Sequence, residues 1–343
     1  MASRYPQLSA SRRSFLAGAL GIGAATVLAA CGDDDDSGAE GSGSSGGPFE
    51  YTDDRGKKVS LSAQPKKIVA QVGAAAALWD FGVKSVGLFG PSKKADGGQD
   101  PQSGRIDLSK VTSLGNAWGE FNVEKYLSLA PELLVSVMYG TGKLWYVPDD
   151  SAAKIEQIAP TVGIEIAKVK LTDAIAKFEK LATALGADTK ATSITEAKAK
   201  FAKATTDLQA AGTAKADLKV IVLAAAQDNV YCANAAMYPD LQHYVDNKVN
   251  LVIPQKPDAE SPFWETLSWE NVSKYPADVI FLDARTQSLQ PDQLKSNAAW
   301  AKLPAVVNNQ IIPWYSEEPL SYPGYSSKIA DLAAGLNKAK KVT

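Results

Sequence analysis

Two stretches of the chain repeat one order of apolar and polar positions. In the first, KKIVAQV (66–72) follows Pro65 as a strand-like run, the small apolar stretch AAAALWDFG comes next, and SVGLFG forms a second strand-like run. In the second, LKVIVLAAA (218–226) begins the same way after a polar break. Strand-like runs alternating with helical stretches predict parallel α/β sheets. Each region also holds a glutamate, a helical stretch, a proline and a strand. The first is FNVEKYLSLAPELLVSV, with Glu124, Pro131 and a strand over 133–137; the second is LSWENVSKYPADVIFLDAR, with Glu270, Pro276 and a strand over 278–282. The glutamate precedes the proline by seven residues in one and six in the other. An internal duplication giving two similar lobes is the economical explanation.

Between them lies DTKATSITEAKAKFAKATTDLQAAG (188–212). Ile194, Ala197, Phe201, Ala204, Leu208 and Ala211 step by three and four, the spacing of one helix face. Ser193 and Glu196 are placed for a capping box, and Gly212 stands where a terminating glycine would. Such a helix is roughly 35 Å long. Without proline or internal glycine it predicts a stiff strut between lobes, although an alanine-rich helix packed within one domain has the same pattern.

The amino terminus has a different pattern. SRRSFLAGALGIGAATVLAAC opens with Arg12-Arg13, then carries no charge from Ser14 to Gly32. A positive start, a short apolar middle and small residues before a cysteine describe a secretion signal. An uncleaved membrane anchor is the alternative. Residues 32–48 (GDDDDSGAEGSGSSGGP) hold no apolar residue larger than alanine, so they cannot repay their ordering entropy and form a tether.

Composition narrows the function. At 343 residues the chain suits two lobes. From Cys31 onward 33 basic residues face 38 acidic ones, which argues against a nucleic-acid partner. Cys232 is the one other cysteine, so an internal disulfide has only the Cys31–Cys232 pairing open to it. His243 is the sole histidine, too few for most zinc sites or histidine-based triads. No G-x-S-x-G, H-E-x-x-H, P-loop or C-x-x-C motif occurs.

Paired α/β lobes, one connecting helix and the terminal cysteine resemble the substrate-binding lipoproteins of iron–siderophore ABC importers over nearly all of residues 49–343. FEYTDDRGKKVSLSAQPKKIVAQ is similar to the family's opening hairpin and first strand, NVEKYLSLAPELLV to its Glu–Pro–strand segment, and NAAWAKLPAVVNNQIIPW (297–314) to a late helix and strand. LGNAWGEFNVEKY with GKLWYVPDD resembles actinobacterial ferrioxamine-type binders most. The resemblance implies an α/β fold of two lobes, each a mostly parallel sheet flanked by helices, joined by one long α-helix: the class III substrate-binding architecture. It divides the chain into a twin-arginine lipoprotein signal (1–30), a lipidated Cys31 and tether (31–48), an N-terminal lobe (49–187), the interdomain helix (188–212) and a C-terminal lobe (213–343). Leu28-Ala29-Ala30-Cys31 resembles a lipobox, which implies that lipid on Cys31 holds the chain outside the cytoplasm on the cell membrane; a monomer is expected.

Open α/β sheets bind ligands beyond the carboxyl ends of their strands. The loops expected there carry Trp118, Tyr139, Trp145, Tyr146, Tyr231, Tyr238, Phe263, Trp264, Trp314 and Tyr322. Aromatic faces give large contact area at little entropy cost, and core packing is the competing role for each. In the resembling hydroxamate binders, positions matching Tyr139 and Trp264 touch the ligand, while an arginine stands where this chain has Trp118. Only Arg55, Arg105 and Arg285 follow Cys31, beside 30 lysines. Arg285 directly follows a strand and is a ligand candidate; a surface ion pair is its alternative. A tris-catecholate iron complex needs several cationic clamps, so this cleft suits a near-neutral ferric hydroxamate better. By the resemblance, Glu124 and Glu270 dock the two lobes onto arginines of a symmetric permease. The expected function is capture of a ferric siderophore without catalysis or a cofactor of the protein's own. Cobalamin or haem as cargo, and a carboxylate-dependent hydrolase, stay open at this point.

Overall fold

The computed structural model describes residues 47–343. The signal, the lipidation candidate Cys31 and most of the tether lie outside the described residues. The chain opens with a hairpin of β1 (Phe49–Thr52) and β2 (Lys58–Leu61). In the first lobe follow β3 (Ile68–Gln71), α1 (Val72–Asp80), β4 (Gly87–Phe89), β5 (Thr112–Ser113), α2 (Val123–Ser128), β6 (Leu133–Met138), α3 (Ala152–Ile158), β7 (Thr161–Glu165) and α4 (Leu171–Ala184). The connector is α5 (Thr192–Ala214). The second lobe holds β8 (Val220–Ala225), β9 (Asn229–Ala233), α6 (Pro239–Asp246), β10 (Trp264–Ser268), β11 (Val279–Asp283), α7 (Pro291–Leu294), α8 (Pro304–Val307) and β12 (Ile311–Trp314). The last helix is α9 (Tyr322–Lys338). Among the described residues no helix is long and apolar enough to cross a membrane.

The first sheet has the order β5-β4-β3-β6-β7 and is parallel throughout. The second has the order β10-β9-β8-β11-β12. Its β8, β11 and β12 run parallel, while β9 and β10 are antiparallel neighbours. The departure from the first lobe is local. Ala226 donates to the Asn229 carbonyl at 2.8 Å, closing a turn far too short for the crossover that a parallel strand needs. The duplicated Glu–Pro–strand segments land in equivalent places: β6 pairs with the first strand of its lobe through Ile68 opposite Leu133, and β11 with the first strand of its own through Val279 opposite Val220. These inner strands are buried on both faces, as their unbroken apolar runs require.

The connecting helix buries the expected stripe of Ile194, Ala197, Phe201, Ala204, Leu208 and Ala211, but its ends differ from the sequence expectation. Asp188 accepts from the Lys190 N–H and makes a turn of its own. The helix therefore starts at Thr192 with Ala191 as an unbonded cap, and the Ser193–Glu196 capping box does not form. Gly212 lies inside the helix instead of ending it. A Cβ there would stand 2.6 Å from the Asn247 carbonyl oxygen, so the residue is small because the helix passes hard against the 247–248 backbone.

Nor is this helix the only crossing. α9 packs along it with Tyr325, Ile329, Leu332, Ala333 and Leu336 buried. Its start is tied to the first lobe, where Ser321 Oγ bonds Asp80 and the Tyr322 hydroxyl donates to Glu179 at 2.9 Å. Beyond its end the chain is tied to the second lobe, where Lys340 N donates to Gln310 Oε1 and Asp278 accepts from the Val342 and Thr343 amides. The final segment assigned to the C-terminal lobe thus spans both lobes, and the strut is a helix pair. Cys232 is a free thiol buried in the second lobe, and burial pushes it up to about 12.

Gly212→Val tests the close approach. Helix propensity alone favours valine over glycine by about 0.3 kcal/mol. The backbone collision instead predicts a net loss of about 1–3 kcal/mol in denaturant unfolding; unchanged or raised stability would refute it.

Candidate ligand-binding site

In each sheet the strand order reverses once: between β3 and β6 in the first lobe, and between β8 and β11 in the second. The carboxyl ends at these reversals point into one crevice, the place where open α/β sheets leave room for ligands. A cavity of about 30 Å³ lies there. The first lobe supplies Gln71, which caps α1 by accepting from the Ala74 N–H at 3.1 Å, and Tyr139 beyond β6. The second supplies Tyr238 at the start of α6 and Ser316, Glu317 and Glu318 beyond β12. This volume holds about two water-sized groups.

From the cavity an unbroken succession of ring contacts runs in both directions. Trp118 meets Trp145 at 4.8 Å and Tyr146 at 5.1 Å, and Trp145 meets Tyr139 at 4.8 Å. Tyr139 meets Phe263 of the other lobe edge-on at 5.6 Å, and Phe263 meets Tyr238 at 5.3 Å. Tyr238 then touches Trp264 at 5.6 Å and Trp314 at 5.2 Å, and Tyr231 lies 6.2 Å from Trp264. Nearly all are edge-to-face, the favoured arrangement of ring quadrupoles. Nine of the ten aromatics expected at the cleft belong to this one group. Trp118, 50% exposed, is its outer end.

Two placements differ from the expected cleft lining. Tyr322 stands outside the group, edge-on to Phe81 and Phe201 with its hydroxyl on Glu179, because it opens α9 where that helix meets the first lobe. Trp314 is a buried post behind Tyr238 and Trp264; its indole N–H donates to Asp240 Oδ2 at 2.6 Å.

Arg285 is committed to carboxylates. Its guanidinium bonds Asp283 through Nε and Nη2, the latter at 2.7 Å, and Glu317 through Nη1 at 2.7 Å. It has the ion-pair role, with 19% of its side chain exposed, and does not line the cavity. The next residue bridges the lobes, as Thr286 Oγ1 donates to Asp100 Oδ2 at 3.1 Å. Arg55 holds the opening hairpin to Asp53, Glu156 and Thr161, and Arg105 pairs with Asp80. All three arginines of the described residues are therefore engaged. Among the described residues no three His, Cys, Asp or Glu side chains are grouped to hold a metal ion. Glu124, in the first turn of α2, and Glu270, in the first turn of a 3₁₀ segment (Trp269–Lys274), are exposed.

The family described as periplasmic binding protein matches residues 59–318. The chain belongs to the periplasmic binding protein family. Among solved structures, this binding protein is similar to DesE, a ferric-siderophore receptor protein from Streptomyces coelicolor, with 43% identity, a TM-score of 0.83, and coverage of 86% of this chain and 100% of that one. It shares its fold with PiuA, an iron-uptake ABC transporter substrate-binding protein from Streptococcus pneumoniae (21% identity, TM-score 0.60, covering 86% and 100%). It shares it also with the Fe³⁺–Desferal-bound siderophore binding protein FhuD from Vibrio cholerae (16%, 0.57, covering 79% and 98%). No curated protein is significantly similar to the chain.

What the composition did not reveal is the acidity of this binding protein's crevice. Burial pushes the Glu318 carboxyl up to about 8, reinforced by Asp80 and Asp240 and opposed by Lys328. Burial also raises Asp240 to about 7, partly offset by the Trp314 hydrogen bond. Glu317 and Asp100 are raised by burial as well. The phenols of Tyr139 and Tyr238, raised far by burial, stay neutral. A legible signal existed: SEEP (316–319) stands one residue beyond the strand IIPW (311–314), so two adjacent acids sit at a strand's carboxyl end.

Between the ordinary value of 4.5 and about 8, the folded protein holds a proton on Glu318 that the unfolded chain lacks. Stability therefore falls as pH rises through that window. Glu318→Gln removes the titration, so its thermal midpoint declines less between pH 5 and pH 8 than that of the parent. Parallel declines would rule the assignment out.

Proposed function

We propose that this chain is an extracytoplasmic receptor that takes a ferric hydroxamate siderophore into the crevice and hands it to an ABC importer. The observation that carries this is the ring wall crossing from lobe to lobe beside a crevice without a free guanidinium. A tris-catecholate complex is strongly anionic and would meet Glu317 and Glu318 with no arginine to spare. A ferric trihydroxamate is near neutral and offers hydrophobic methylene arms to the rings. The buried Trp145 indole N–H has no hydrogen-bond partner among the described residues, which suits an acceptor oxygen on such a ligand. The 43% identity to the ferric-siderophore receptor DesE, over its full length, supports the same cargo class.

Capture here involves no bond making. The rings around the small cavity move aside to admit the chelate, while the helix pair keeps the lobe spacing. Glu124 and Glu270, at equivalent positions before β6 and β11, dock the loaded protein onto a permease with matching symmetry. The Arg12-Arg13 signal exports the chain, and lipid on Cys31 holds it, a monomer, at the membrane; the sequence LAAC supports this part.

Tryptophan quenching tests the cargo. A ferric trihydroxamate should bind at least a hundredfold more tightly than a ferric tris-catecholate, and Tyr139→Ala and Trp264→Ala should each weaken it at least tenfold. A preference for the catecholate, or unchanged affinity in both variants, would defeat the proposal.

The docking role separates from binding. Glu124→Lys with Glu270→Lys should leave the dissociation constant unchanged and abolish uptake of iron-loaded siderophore by cells. Normal uptake by the double variant would exclude these glutamates.

A further inference from the structure

The cavity beneath the ring wall is too small for an iron chelate, yet it is built for something. Its volume is about 30 Å³. Two residues of its lining each carry a buried polar atom with no hydrogen-bond partner among the described residues: Ser316 at Oγ and Glu318 at Oε2. Both can accept a hydrogen bond. Ser316 is only 8% exposed, and an unpaired hydroxyl at that depth is costly unless a guest satisfies it. Just below, Asp240 is fully buried, with Oδ2 on the Trp314 indole and Oδ1 unpaired.

Charge around the cavity points the same way. The carboxyls are Asp80, Asp100, Asp240, Asp283, Glu317 and Glu318; the cations near them are few. Arg285 is shared by Asp283 and Glu317, and Arg105 is held by Asp80. Lys328 rests with its ammonium over the Tyr315 ring at 3.6 Å. An anion entering here would meet the Glu317 carboxylate and, once it gives up its proton, that of Glu318. An ammonium group is close to water in size, donates three hydrogen bonds and pairs with a carboxylate at full strength where water is excluded.

We propose that this cavity is the subsite for a primary ammonium at the end of the ligand, held by Glu318 and Ser316, while the iron centre rests against the rings above. The inference rests on the siderophore-receptor reading and adds a selection rule to it: the receptor prefers chelates that carry a terminal amine. Glu318 and Ser316 set the specificity, and Asp240 with Glu317 keeps the surroundings negative.

The test compares ferric Desferal, a linear trihydroxamate ending in a primary amine, with its N-acetylated derivative. Dissociation constants come from tryptophan quenching at pH 8 on the full chain, Glu318→Gln and Ser316→Ala. The parent should favour the free amine at least tenfold. Glu318→Gln should bring that ratio to within about twofold of unity. Ser316→Ala, which adds no polar group and preserves the carboxylate, should reduce the ratio to an intermediate value. Equal affinity for the two chelates in the parent, or an undiminished preference in both variants, would overturn the subsite and leave the receptor reading standing. Failure of both chelates to bind the parent would overturn the two together.

Discussion

Everything at the crevice depends on the packing of α5 against α9. A parallel sheet exposes its loops at the carboxyl ends, but one sheet alone offers an open surface there. Two such ends become walls of one site only when their separation is held. The two helices pack along each other, each burying an apolar stripe: Ile194, Ala197, Phe201, Ala204, Leu208 and Ala211 on one, Tyr325, Ile329, Leu332, Ala333 and Leu336 on the other. Because α9 is tied to Asp80 and Glu179 at its start and follows into the Asp278 clasp at its end, the lobes are joined by two helices running between the same pair of bodies. Relative rotation must shear that packing, which costs far more than bending a single connector.

With the frame stiff, adaptation falls to side chains. Tyr139 and Phe263 meet across the lobes without a covalent or hydrogen-bonded tie. Ring edges can slide past one another at small cost, unlike interlocked aliphatic cores. Apart from the ties of α9, the polar contacts between lobes among the described residues are few: Thr286 to Asp100, the Lys168 amide to the Met237 carbonyl at 3.3 Å, and the exposed pair of Lys170 with Asp246 at 3.5 Å. The mouth is thus the softest part of a rigid body, which is where a receptor that neither reacts with nor digests its cargo needs freedom.

The acid-rich floor follows from the same geometry. β12 ends in Trp314, and the chain turns through Ser316, Glu317 and Glu318 into α9. Those carboxyls are carried under the rings because the second crossing begins there. One, Glu317, shares Arg285 with Asp283; Asp240 keeps the Trp314 indole as its partner, and Glu318 has no ion pair among the described residues and is held mainly against its burial. Holding such groups against their desolvation is a cost that a purely structural site would shed.

Much was legible in the chain before folding. The apolar runs of β3, β6, β8 and β11 mark strands buried on both faces, and the three-and-four stepping of Ile194 to Ala211 marks the connector's inner face, because these periods are local consequences of backbone geometry. The aromatic wall was legible as well, since rings set among glycine, proline and serine lie in loops, and loops gather at strand ends. Tertiary structure alone decided the rest. Gly212 is an ordinary helix breaker until Asn247 crosses it. Tyr322 looks like its aromatic neighbours until α9 carries it to Glu179. Arg285 reads as a free cation until Glu317, thirty-two residues on, reaches it. Each of these depends on which distant segment arrives beside the residue, and a one-dimensional pattern holds no record of that encounter.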